Sequence, residues 1–365
     1  MIPAADVRID LPLVRSLLAR QAPQWAELQL RPAASGWDNV MVRLGEELAV
    51  RLPRRAAAAP LLRSEAAWAP VLAPQLPLPI PVPRFLGAPQ GEYPYPWLVT
   101  TWLPGEPTAA FPAEARDGYA GELAGFLAAF HTVPDAAGPG PAAPLASGGG
   151  GAGGVVGAAS GRALPYNPVR GVPVAERVRM WRARLREACA VEGPLAGVSV
   201  HGQPQAQRLA ATIDAAQDAS AYQGPPVWVH GDPHPLNTLA GEGEASTGQR
   251  GSARRTVGLG LTGVVDLGDL TVGDPASDLG AAWLHFTPAG LSAFRDAYAL
   301  ARPEAGEDAG LWDRAAGWAV NCVLTLLGDA SELGDCARTA LAAHWPTEQS
   351  LRCERSGLPS RGPRG

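Results

Sequence analysis

Lysine is absent from all 365 residues, and the 30 basic side chains are all arginine. That excludes a P-loop, whose G-K-[ST] ending puts a lysine on the phosphates. Cysteine is scarce as well. Cys189, Cys322, Cys336 and Cys353 lie far apart with no C-x-x-C spacing, so neither a zinc knuckle nor a disulfide framework is expected, and a reducing cytoplasm is the expected location. No run approaches 18 apolar residues, so no membrane-spanning segment is expected. The opening MIPAADVRID lacks the charged and apolar regions of a signal peptide. Positive charge is not in excess either: the formal net charge is -5, without the basic footprint that nucleic-acid binding needs. What the chain does have is 46% hydrophobic residues, enough for a sizeable core, together with much Gly (43) and Pro (37).

Periodicity predicts a helix over Asp10–Ala19, with Leu11, Val14, Leu17 and Leu18 on one face. Strands are predicted at Glu27–Pro32, Asn39–Leu44 and Glu47–Leu52, then a helix at Leu61–Leu72. The Pro-rich QLPLPIPVPRF reads as an extended connector before a strand at Pro96–Leu103. Helices follow at Ala115–His131, Val174–Ala190 and Gln203–Ala219, and residues 275–345 are helical in pattern. Gly/Ser-rich insertions are expected at 138–161 and 241–255, and a disordered tail at 346–365. Strands first and helices later imply an α+β protein of two lobes, divided near residue 103.

Two glycine motifs carry no nucleotide chemistry. GLGLTG at Gly258–Gly263 has the G-x-G-x-x-G spacing, but β-type Val264-Val265 follows where a helix N-terminus is required. GGGGAGG at 148–154 is read as a flexible loop. The informative segment is VWVHGDPHPLNTLA, residues 227–240. A buried strand ends at His230-Gly231-Asp232, Asn237 follows, and a second apolar strand ends at Asp266 within GVVDLGDLTVGDPASDL. Two carboxylates and an amide at adjacent strand ends suit a hard divalent cation.

HGDPHPLN followed by VVDLGDLTVGDPASDL resembles the aminoglycoside phosphotransferase family, kinase-like enzymes with H-G-D-x-x-x-x-N and I-D-F-G-D signatures. The resemblance continues upstream through SGWDNVMVRLGEELAVRLPRR (35–55) and YPWLVTTWLPGEP (95–107) and covers residues 25–345. It implies a protein-kinase-like fold, a small β-rich N-lobe (1–103) and a helical C-lobe (104–345), with ATP or GTP and Mg²⁺ bound between them. It also implies Asp232 as catalytic base and Asn237 and Asp266 as metal ligands. Arg51 stands where the family has its phosphate-binding lysine, with Glu65 on the next helix as its carboxylate partner. Gly36 and Asn39 would turn over the phosphates, and the hinge near Thr101 and Leu103 would meet the adenine. Three neighbours are expected to be structural or outer: Asp274 as an N-cap, Asp278 in a helix's first turn, and Asp269 as an outer-layer group.

Two other classes remain open on the residues alone. Arg51 in place of lysine leaves a catalytically impaired nucleotide-binding module, and His230, Asp232 and His234 leave a metallohydrolase. For the acceptor, residues 275–345 hold nine acids against four bases. That balance points to a small cationic polyhydroxyl compound such as an aminoglycoside.

Overall fold

The computed structural model describes residues 4–134, 146–147, 164–190, 193–195, 204–244 and 257–346. Most of the expected insertion 138–161, residues 245–255 of the second, and the tail from 347 onward lie outside the described residues. The first helix, α1 (Leu11–Gln21), starts on Asp10, whose carboxylate accepts the Leu13 N–H at 3.0 Å. Val14, Leu17 and Leu18 form its buried face. Next come β1 (Leu30–Ser35), β2 (Asn39–Leu44) and β3 (Leu48–Pro53), paired antiparallel in turn. Strand β1 begins later than the sequence suggests because Leu28 N–H closes a turn on the Trp25 carbonyl at 3.1 Å.

Helix α2 (Ala58–Leu72) precedes β4 (Pro83–Gly87) and β5 (Trp97–Thr101). Strand β4 occupies the end of the Pro-rich stretch expected only as a connector. Its ladder with β5 is irregular between Pro83 and Phe85, as a residue without an N–H donor requires. After β6 (Glu106–Pro107), α3 (Ala113–Arg116) and α4 (Ala120–Phe130), β7 (Ala146–Ser147) returns beside β4. The first sheet therefore runs β1-β2-β3-β5-β4-β7.

The rest of the chain is mainly helical: α5 (Val174–Ala188), α6 (Pro204–Asp218), β8 (Val227–Val229), β9 (Thr238–Glu244), β10 (Val257–Val264) and β11 (Thr271–Gly273) lead to a helical end. That end comprises α7 (Ala276–Leu279), α8 (Ala282–His285), α9 (Pro288–Ala301), α10 (Leu311–Leu326) and α11 (Glu332–His344). Strand β10 passes straight through GLGLTG, so that motif makes no strand-to-helix turn. It pairs with β9, which includes residues 241–244 of the segment expected as insertion.

Two hydrophobic cores hold the lobes. Val14, Leu17 and Leu18 pack with Val42, Leu44, Val50, Leu52, Trp97 and Val99 in the N-terminal lobe. The larger core gathers α4 to α11 around Phe126, Trp181 and Trp318. Helix α2 touches both lobes. Leu62 and Ala66 pack on Leu98 of β5, while Trp68 enters the large core with its ring 4.9 Å from that of Trp228 on β8. A side chain midway along α2 therefore sits between the lobes.

Candidate active site

The segment 230–237 after β8 is held by buried acceptors and donors on its backbone. Asp278 on α7 is fully buried and accepts the His230 N–H at 2.7 Å and the Gly231 N–H at 2.8 Å. His131 Nε2 meets the same carboxylate at 3.1 Å, and its Nδ1 meets Tyr298 Oη at 2.8 Å. Asp278 is therefore the anchor of this loop, not the helix-dipole residue its place in a first turn suggested. Helix α7 is one turn long, and its acid points into the core. Further along, His285 Nε2 donates to Pro233 O at 2.9 Å, and burial pushes its imidazole down to about 3, so it stays neutral. Thr108 Oγ1 and Ala109 N–H each donate to Pro235 O at 3.0 Å. Gly231 has φ 93°, and a Cβ there would lie 2.4 Å from the Asp269 carbonyl, so only glycine fits the turn.

We expect Asp278→Ala to cost about 3 kcal/mol or more, because it strands two buried N–H donors at once. Denaturant titration checks this, and Asp278→Asn should lose less because one acceptor oxygen remains.

This scaffold brings Asp232, Asn237 and Asp266 together. Asn237 Nδ2 donates to the Asp232 carbonyl at 2.9 Å, which leaves Oδ1 available to a cation. The β9–β10 ladder opens with Thr238 opposite Val264, and Val265 N–H donates to Asn237 O at 2.8 Å. The two residues expected as metal ligands thus sit side by side at one strand-pair end. Asp266 has φ 65° and is the one non-glycine residue with positive φ among the described residues. Its short side chain supports that conformation by accepting the Gly268 N–H at 3.2 Å. The Asp232 carboxylate lies 3.1 Å from Arg170 Nη2 and 3.4 Å from His234 Nε2.

From the other lobe, β3 alternates so that Val50 and Leu52 enter the core while Arg51 faces the opposite way. Arg51 Nη1 lies 2.9 Å from the buried Glu65 carboxylate on α2, and Nη2 bonds Asp266 Oδ1. Burial raises the Glu65 carboxyl above its ordinary range, with Arg51 opposing. The cost of desolvating Asp266 is outweighed by the Arg51 charge and by hydrogen bonds from Arg51 and Gly268, so Asp266 is held below its usual range. With its amide oxygen toward the guanidinium, Asn39 accepts from Arg51 Nη2 at 3.0 Å and Nε at 3.2 Å. Gly36 sits in the turn between β1 and β2, its N–H on Asn39 O at 2.9 Å and its carbonyl bonded by Arg54 at 3.1 Å. At the hinge, Thr101 N–H and Trp102 N–H are taken up by Val82 O at 3.1 Å and Glu47 O at 2.7 Å. The Leu103 N–H and carbonyl have no partner among the described residues.

Sequence reasoning missed Arg170, which joins Asp232 to Asp269, and it missed the buried role of His131. No motif surrounds either. The metallohydrolase constellation does not form, because His230 Nδ1 accepts the Asp232 N–H at 3.3 Å and Nε2 donates to Val265 O at 3.2 Å, leaving no lone pair for a metal. Asp274 lies one residue before the formal cap of α7, yet its Oδ1 accepts the Ala276 N–H at 3.0 Å, while its carboxylate also meets Arg314 Nε at 2.8 Å.

The fold is shared with solved phosphotransferases. An aminoglycoside 2'-phosphotransferase-IIIa in complex with GDP superposes with a TM-score of 0.57 at 16% identity, over 94% of this chain and 99% of that one. The macrolide 2'-phosphotransferase MphH from Brachybacterium faecium gives 0.51 at 22% identity, over 97% and 100%. A macrolide 2'-phosphotransferase type I gives 0.51 at 18% identity, over 99% and 100%. No curated protein matches the chain by sequence. The family model described as the phosphotransferase enzyme family (APH) matches residues 29–318, well over half the chain. The chain is a member of the APH phosphotransferase enzyme family.

Proposed function

We propose that this chain moves the γ-phosphoryl group of ATP or GTP to a hydroxyl of a small molecule, with residues 1–103 covering the nucleotide and residues 104–345 carrying the base and the acceptor site. The observation that supports this reading best is the meeting of two lines of charge: Glu65–Arg51 from the N-terminal lobe reaches Asp266, which stands beside Asn237 and the Asp232 loop. An amide oxygen and a carboxylate that is 49% exposed form a hard donor set that fits Mg²⁺. Bound there, the ion would neutralise phosphate charge. Arg51 would hold the phosphates from β3, and the free Leu103 backbone groups would meet the base. Asp232 would take the acceptor's hydroxyl proton as the new O–P bond forms. The bond from γ-phosphorus to the bridging oxygen breaks, and the nucleoside diphosphate leaves with that electron pair.

The acceptor class turns on the acids of residues 275–345. Asp278 is buried under the loop, Asp308 binds Arg314, Glu304 pairs with Arg302, and Asp335 pairs with Arg338. The three arginines are already among the four bases, so only the burial of Asp278 takes an acid out of the balance. On the segment that ends at Arg170, Leu164 (43%), Tyr166 (75%) and Val169 (40%) are exposed apolar side chains. That favours an acceptor with an apolar face, as a macrolide has, over a polycationic sugar. The test is diphosphate release from Mg-ATP and Mg-GTP with macrolide and aminoglycoside acceptors across ionic strength. We expect macrolide turnover whose kcat/KM is nearly flat with salt. Aminoglycoside turnover that falls steeply with salt would restore the cationic reading. Nucleotide binding without transfer to any hydroxyl would leave the impaired module.

A further inference from the structure

Arg170 is carried on a short segment that is fastened down at several points. Asn167 N–H donates to Thr271 Oγ1 at 3.0 Å, Asn167 Nδ2 to Asp269 Oδ1 at 2.9 Å, and Val169 N–H to Asn167 Oδ1 at 2.9 Å. Asp274 N–H donates to Gly171 O at 2.9 Å. Gly171 takes φ 65°, and a Cβ there would lie 3.2 Å from Thr271 Cγ2, so the backbone turns here against β11. From this fixed base the guanidinium reaches two carboxylates. Nη2 lies 3.1 Å from Asp232 Oδ1, and Nε lies 3.3 Å from Asp269 Oδ2. The Arg170 side chain is only 20% exposed. Asp269 is pushed up first by burial and then by Asp232 and Asp266, against the pull of Arg170, so the three acids feel one another.

We infer that Arg170 is a positioning residue for phosphoryl transfer: it fixes the Asp232 carboxylate in place and offsets the repulsion between that carboxylate and an incoming anionic phosphoryl group. The inference rests on the reading of Asp232 as the base. A base that must face an anionic γ-phosphoryl group from beside two other carboxylates needs a cation that does not leave with the product. Arg51 serves the Glu65–Asp266 side, and Arg170 is the cation bonded to Asp232 itself. A guanidinium suits the task because its rigid fork reaches two carboxylates at once, which a lysine ammonium does with less directional control.

The test uses the full chain, phosphate release from Mg-ATP with water as acceptor, and calorimetry of Mg-ATP binding. Arg170→Ala should lower kcat about 30-fold while KM and the calorimetric Kd for Mg-ATP change less than about threefold. Arg170→Lys should recover part of the loss, since it restores charge but not the fork. In an Asp232→Asn background, Arg170→Ala should remove less than about threefold more, the mark of two residues acting as one unit. Losses that multiply, or a kcat within about twofold of wild type for Arg170→Ala, would overturn the inference while leaving the base in place. An Asp232→Asn protein that stays active would instead overturn the base reading. If thermal melting shows Arg170→Ala unfolded, Arg170→Lys carries the test, and full activity in that variant counts against positioning by the fork.

Discussion

Asp232→Asn is expected to lower kcat by about 10²-fold or more while the affinity for Mg-nucleotide stays within a few-fold of wild type. Asparagine keeps the shape and an oxygen that can accept from Arg170, now 3.1 Å from the carboxylate, but it cannot take up a hydroxyl proton. The loop should survive the change, because its hydrogen bonds run through backbone groups to Asp278, His285 and Thr108, not through the Asp232 side chain. Single-turnover transfer alongside calorimetry separates the two effects. A variant that keeps more than about half of the wild-type kcat would remove Asp232 from the proton-transfer step.

Arg51→Ala is expected to cost both activity and about 3–5 kcal/mol of stability, because it leaves a buried charge without its partner. Glu65 is wholly buried, and among the described residues neither of its oxygens accepts a hydrogen bond with good geometry, so the 2.9 Å contact with Arg51 is its main compensation. The sign of the pH dependence follows. The folded Glu65 value lies above the unfolded one, so its contribution is fully present below the unfolded value and is lost as pH rises through the folded value. Removing Arg51 raises the folded value further and enlarges that loss. The gap in melting temperature between variant and wild type should therefore be widest near pH 8 and should narrow toward pH 5. A gap that does not change with pH would show that Glu65 is not the residue left stranded. Arg51→Lys should keep substantial activity if Arg51 meets phosphate as proposed, because the charge is retained, yet a single ammonium cannot span Glu65, Asp266 and Asn39 as the guanidinium does.

Together the two variants probe the two sides of the proposed site. Arg51 reports on the N-terminal lobe's hold on Asp266 and, on the proposed reading, on the nucleotide. Asp232 reports on the chemistry beyond it. Loss of nucleotide affinity in Arg51→Ala with retained affinity in Asp232→Asn is the pattern that a two-sided site produces.

Local chain chemistry carried much of this protein into view. The apolar spacing of Val14, Leu17 and Leu18 marked α1, and the strand read at Asn39–Leu44 has the bounds of β2. The apolar runs ending at His230 and Val265 placed Asp232, Asn237 and Asp266 at strand ends, which periodicity and turn residues are able to signal. Contacts between distant segments were a different matter. Arg170 meets Asp232 across 62 positions of chain, and nothing near it in sequence marks it out. Asp278 looked like an acid in a helix's first turn, but the packing of α7 under the loop turned it into a buried acceptor for two N–H groups. The left-handed backbone of Asp266 and the strand made from the Pro-rich stretch likewise arose from neighbours in space. A pattern of residues reports the surface each short element must bury. Which charges then face each other depends on how the elements pack, and that is decided by the fold as a whole.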